Sequence, residues 1–140
     1  MPKSSFVFAL LASLAQGAAM AQSPTITVEV SGVAEAKGYI LVAAFDKAEG
    51  WLKRPAQAAR ADAKAGTVTV TLPGLADGEY AFSVVHDLNG NNRLDANALG
   101  IPSEPYGFSN DAAGNFGPPK FEDARVKVGK DATKFVVKLN

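Results

Sequence analysis

Apolar and polar residues alternate at period two through most of this chain. Ile26, Val28 and Val30 share one side of a predicted strand, with Thr25, Thr27 and Glu29 on the other. Residues 67–72 repeat the pattern, with Val68, Val70 and Leu72 inward and Thr67, Thr69 and Thr71 outward. Residues 38–45 (GYILVAAF) are instead almost continuously apolar, which predicts a central strand covered on both faces. Pro73-Gly74 and Asp77-Gly78 punctuate the chain before a strand at 79–87. Strands at 125–128 and 134–139, parted by a turn at Gly129-Lys130-Asp131, complete the set. Residues 47–65 are less regular. Pro55 argues against an uninterrupted helix, so 56–63 is read as a short strand, with Trp51 and Leu52 plugging the sandwich edge. Six or seven strands with turn signals between them predict an all-β fold: a single antiparallel β-sandwich, immunoglobulin-like or transthyretin-like, with one long Gly/Pro/aromatic loop.

The first residues break this pattern and read as an export signal. Lys3 is followed by an apolar run over 6–15, too short to span a bilayer. Ala19-Met20-Ala21 then offers a small-x-small cleavage site, making 1–21 a cleaved signal peptide with Gln22 as the new N-terminus. The expected destination is the periplasm or the medium, with no membrane insertion after cleavage. Removing 21 of 140 residues leaves 119, enough for one domain at 22–140 with a core of its own. No cysteine is present, which excludes disulfides, thiolate metal sites and thiol catalysis. Loss of Lys3 leaves 13 basic against 14 acidic residues, a balance with no electrostatic case for nucleic acid. With one histidine, and both methionines inside the signal, soft-metal delivery lacks ligands.

Candidate chemistry concentrates in residues 86–121. Asp87, Asn89 and Asn91 stand at alternate positions and Asp95 follows, the spacing with which a tight loop wraps calcium. On the twelve-residue calcium template over 87–98, Arg93 would lend its backbone carbonyl at position 7 and Asp95 falls at 9. Two departures weaken the match: Asn92 stands where glycine makes the sharp turn, and Ala98 replaces the bidentate glutamate. Glu104 is the candidate replacement. The expected metal set is therefore Asp87, Asn89, Asn91, Arg93, Asp95 and Glu104, binding calcium weakly, at about 10⁻⁴ M or above. The competing reading is a plain turn, closed by side-chain-to-backbone hydrogen bonds.

His86 alternates with Tyr80, Phe82 and Val84, which places it on the inner face at a strand end, with Asp87 pointing the other way. It reads as structural. Tyr106, Phe108, Phe116 and Phe121 lie among glycines and prolines in a loop long enough to call for a role. They predict either a satellite core that pins the loop or an exposed platform for a ligand.

The runs HDLNGNNRLD, GIPSEPYGFSN and FGPPKFEDA, with GYILVAAFD and LPGLADGEYAFSVVHD upstream, resemble an uncharacterised family of exported bacterial proteins, domain-of-unknown-function family 2141. The resemblance covers essentially the whole mature chain and implies a transthyretin-like or prealbumin-type sandwich. It implies no reaction. Of the site residues it carries over only the D-x-N-x-N-x-x-x-D loop at Asp87, Asn89, Asn91 and Asp95. Two functions compete. One is a non-catalytic binding or structural module with an unidentified ligand or protein partner. The other is a periplasmic hydrolase using His86 with Ser103 or Ser109, around which no nucleophile motif appears.

Overall fold

The structure, a computed structural model, describes residues 25–140, so the expected leader at 1–21 lies outside the described residues. Period-two alternation becomes strand wherever it was read. β1 (Ile26–Val33), β4 (Gly66–Leu72) and β8 (Lys134–Lys138) form one sheet in the order β4-β1-β8. β2 (Tyr39–Phe45), β3 (Gln57–Asp62), β5 (Gly78–Asp87) and β6 (Tyr106–Phe108) form the second, in the order β3-β2-β5-β6. β7 (Arg125–Val128) also joins β5, on the edge that β6 uses. β7 covers Gly78 to Ala81 and β6 covers Ser83 to Val85, so two short strands share one long neighbour.

The two sheets form the expected β-sandwich, and its core is the inward half of each alternation. Ile26, Val28 and Val30 from β1 meet Ile40, Val42 and Ala44 from β2, with Val68, Val70, Leu72, Phe82 and Val84 completing the layer. Each fully buried Val, Leu, Ile or Phe side chain contributes about 1.5–3 kcal/mol relative to exposure. Burial at strict two-residue spacing therefore fixes register, since a one-residue slip would turn every such side chain outward.

Three details differ from expectation. Eight strands form among the described residues, because the aromatic loop itself supplies β6. The sandwich is not wholly antiparallel: β8 runs parallel to β1, from Thr27 beside Lys134 to Ser31 beside Lys138. Trp51 does not plug the sandwich edge. It packs on the outer face of the five-stranded sheet, at a ring-centroid distance of 5.0 Å from Phe45 and 6.0 Å from Phe121. Leu52 stays exposed, with a left-handed backbone (φ 60°).

Phe45, Ala81, Phe108, Phe121 and Ala124 form a second, smaller core there, joined by Trp51 and Tyr106. Its walls come from the 109–124 segment, pinned by Ser109. The Ser109 hydroxyl accepts the Phe82 N–H at 2.8 Å and donates to the Ala124 carbonyl. Trp51 Nε1 donates to the Pro119 carbonyl at 2.9 Å. Gly107 sits where β6 passes the end of β8, so close to the Lys138 carbonyl that no Cβ fits.

Candidate binding groove and the loop that frames it

On the five-stranded sheet, the outward residues are Tyr39, Leu41, Ala43 and Phe45 of β2, Ala58, Arg60 and Asp62 of β3, and Glu79, Ala81, Ser83, Val85 and Asp87 of β5. The second core covers Phe45 and Ala81. Leu41, Ala43, Ala58, Arg60, Ser83 and Val85 are left as the floor of a groove of about 1070 Å³. Its walls are Leu52 and Pro55 on one side, the 92–102 segment on another, and Phe116 to Pro118 on a third. That volume is at the upper end for sites that take small organic ligands. The continuous apolarity of 38–45 thus has a physical reason: one face of β2 is core and the other floors the groove, half-buried at Leu41 and Ala43.

The rim carries most of the apolar side chains that water still reaches. Among the described residues, the large exposed hydrophobics are Leu52, Leu94, Leu99, Ile101, Phe116 and Val136, and all but Val136 line the groove. Leu99 is 84% exposed and Phe116 is fully exposed. Residues 96–102 close a small hairpin through an Ala96–Pro102 bridge. Asn97 Oδ1 accepts the N–H groups of Leu99 (2.9 Å) and Ile101 (3.1 Å), so the turn holds both side chains out. Apolar side chains held in water around one concavity are the mark of a binding surface.

The loop at 87–95 frames one end of this groove. Asp87 is fully buried although it points away from the core, because the chain folds back over it. Its Oδ1 accepts the N–H groups of Gly90 (3.1 Å) and Asn91 (3.2 Å), and its Oδ2 that of Asn92 (2.7 Å). Gly38 (φ 70°) makes room behind it, lying so close to the Asp87 carbonyl that no Cβ fits. Asn89 and Asn91 direct their amide NH₂ groups at Asp95, at 2.5 and 2.6 Å. The Asn91 amide above all lowers the Asp95 carboxyl from its ordinary value; burial opposes it, and hydrogen bonds with Asn89 and Glu104 and the charge of Arg93 assist. Glu104, itself buried, clips the loop from outside by accepting the N–H groups of Leu88 (2.6 Å) and Asp95 (2.9 Å).

The six residues of the expected metal set thus divide. Asp87, Asn89, Asn91, Asp95 and Glu104 do come together, in one hydrogen-bonded network. Arg93 enters through its N–H, given to Asn91 Oδ1 at 3.2 Å. Among the described residues, no three histidine or carboxylate side chains gather where they could hold a metal ion. Asn92 adopts the left-handed conformation (φ 64°) that the calcium template gives to glycine.

His86 is 1% exposed on the inner face, and its Nε2 lies 2.7 Å from the Lys37 carbonyl. A carbonyl only accepts, so Nε2 carries the proton and Nδ1 is buried without a partner. The groove lies on the opposite face of the sheet from this ring, and the Ser109 hydroxyl is engaged with Phe82 and Ala124. The aromatics of the long loop split between both expectations: Tyr106, Phe108 and Phe121 form the satellite core, and Phe116 stands exposed at the groove. Sequence reasoning missed the groove itself. Its signal was the apolar outward half of β2 combined with Leu94, Leu99 and Ile101, which have no strand to belong to.

The profile of the bacterial family described as "Uncharacterized protein conserved in bacteria (DUF2141)" matches residues 28–136, and the chain belongs to that family. Comparison with curated proteins and with solved structures gave no match.

Proposed function

We propose that this DUF2141 member is an exported, non-catalytic binding module that takes an apolar ligand in the groove on its five-stranded sheet. One observation carries this reading: five of the six large exposed hydrophobics among the described residues surround a single concavity. The exported location rests on the N-terminal pattern read from the sequence. Absence of catalysis is supported by the positions of His86 and Ser109: the His86 ring lies on the face of the sheet away from the groove, and the Ser109 hydroxyl is engaged with backbone partners.

Binding of a neutral, environment-sensitive naphthylamine fluorophore tests the groove. Val85→Lys places a charge on its half-buried floor, and Val136→Lys places one at the exposed apolar site on the other sheet. The fluorophore should brighten with wild type and with Val136→Lys, and not with Val85→Lys. Equal signals from all three folded proteins would reject the reading.

Calcium at 87–95 is a second proposal, favoured by the left-handed turn at Asn92. Against it stands a network whose carboxylates already accept backbone N–H groups. If the loop takes calcium, stability should rise by about 2.7 kcal/mol at a hundredfold excess over the dissociation constant. Identical melting curves in millimolar calcium and in chelator would leave the hydrogen-bonded brace as the full account. The hydrolase alternative is tested by ester, phosphoester and glycoside substrates. No turnover above background is expected, and turnover abolished in a folded His86→Ala protein would revive it.

A further inference from the structure

The groove is apolar along its length and cationic at one corner. Arg60 and Arg93 both line it, and no aspartate or glutamate does. The two arginines meet through one residue: Arg60 Nη1 donates to Asn92 Oδ1 at 3.2 Å, and Arg93 is next in the chain. The Arg60 guanidinium carbon also lies 4.4 Å from the centre of the Tyr39 ring, over its face. Neither arginine forms a salt bridge among the described residues. Four carboxylates lie near this corner outside the groove lining: Asp62, Asp87, Asp95 and Glu104. Asp62 follows Arg60 by two residues on the same side of β3, and Asp95 feels the charge of Arg93 while spending its oxygens on Asn89 and Asn91. Asp87 and Glu104 spend their oxygens on backbone N–H groups, and the groove lining itself presents two guanidiniums and no carboxylate.

The floor offers little to a ligand that carries hydrogen-bonding groups along its body. Leu41, Ala43, Ala58 and Val85 are apolar, and Ser83 is the polar side chain among the outward residues there. A peptide laid across this floor would strand its amide groups, each at a cost of about 1–3 kcal/mol. An alkyl or isoprenoid body has no such groups to lose.

We propose that the ligand is an anionic amphiphile, its hydrocarbon body lying on Leu41, Ala43 and Val85 beneath the rim hydrophobics and its carboxylate or phosphate head at Arg60 and Arg93. This rests on the groove being a binding site, and it adds which end is charged and with what sign. A guanidinium held by stacking and by an amide presents its remaining N–H groups to an oxyanion in fixed geometry, which a neutral or cationic head cannot use.

The test compares dodecanoate, dodecyl phosphate, dodecanol and dodecyltrimethylammonium, each below its micelle concentration. Trp51, the only tryptophan, reports occupancy, because its ring packs on Phe45 and Phe108 of the groove wall. At least one of the two anions should bind about tenfold more tightly than the alcohol, and the ammonium most weakly. In Arg60→Gln/Arg93→Gln the anion should fall to within about twofold of the alcohol. The alcohol should lose less affinity than either anion. Arg93→Gln alone keeps the Tyr39 stack, and should lose part of the preference if the double variant folds poorly. Alcohol and anions binding equally to wild type, or a preference that survives in the folded arginine variants, would overturn the charged-head proposal and leave the apolar groove standing. No binding of any of the four, or a dimer dissolved by Val85→Lys, would overturn both.

Discussion

Asp87→Ala tests the brace at the groove's end with a single substitution. The carboxylate is buried and accepts three backbone N–H groups, from Gly90, Asn91 and Asn92. Hydrogen bonds to a charged group are worth about 1.5–3 kcal/mol each. The three donors lie near the surface, where water can replace part of what is lost, so about 1 kcal/mol per bond is the better figure. The expected loss is about 3 kcal/mol, a large share of the roughly 5–15 kcal/mol that holds a domain together. Asp87→Asn should recover part of it, since one oxygen remains while its NH₂ opposes an N–H donor. Urea denaturation measures this directly. With slopes of about 1–3 kcal/mol/M, the Ala variant's midpoint should fall by roughly 1–3 M at unchanged slope. Affinity for the neutral fluorophore should fall as well, because Asn92 and Arg93 are held in place through this carboxylate. A loss below about 0.5 kcal/mol, the range of ordinary surface substitutions, would refute the argument that Asp87 organises the loop.

Ser109→Ala removes the link between β5 and the segment that walls the second core, and should cost about 1–3 kcal/mol in thermal or urea unfolding because it strands the buried Phe82 N–H. Gly107→Ala forces a Cβ onto the Lys138 carbonyl and should destabilise by at least about 1–3 kcal/mol; a neutral effect would mean that β6 is not packed against β8. The Asp95 carboxyl is lowered in the folded state, so the unfolded chain takes up that proton first. Its contribution is complete above the ordinary aspartate value of about 3.9 and disappears as pH falls through the lower folded value. The stability gap between wild type and Asp95→Ala should therefore be widest near neutrality and close in acid, and a gap independent of pH would contradict the network at Asn89 and Asn91.

Strand positions were legible because one side of nearly every strand is core, and a buried face leaves a two-residue signature at Ile26/Val28/Val30 and Val68/Val70/Leu72. The parallel pairing of β8 with β1 was not, since alternation says which residues face inward but not which strand lies alongside. The loop at 87–95 was legible as oxygen-rich and tightly turned. Which atoms face which was not, because Glu104 returns from outside the motif to accept two of its N–H groups. The groove was hidden for the same reason: its floor comes from β2, β3 and β5 and its rim from three separate segments, so no local window contains it. Trp51 is an isolated aromatic with no periodic neighbours, so its sequence position does not distinguish the sandwich edge from the outer face, where a second core receives it.

Amide chemical-shift mapping with a neutral alkyl alcohol tests the central claim most directly. Shifts are predicted at Leu41, Ala43, Ser83 and Val85, and at Leu94, Leu99 and Ile101 of the rim, while β1, β4 and β8 stay unmoved. Shifts centred on the three-stranded sheet, or none at saturating ligand, would contradict it.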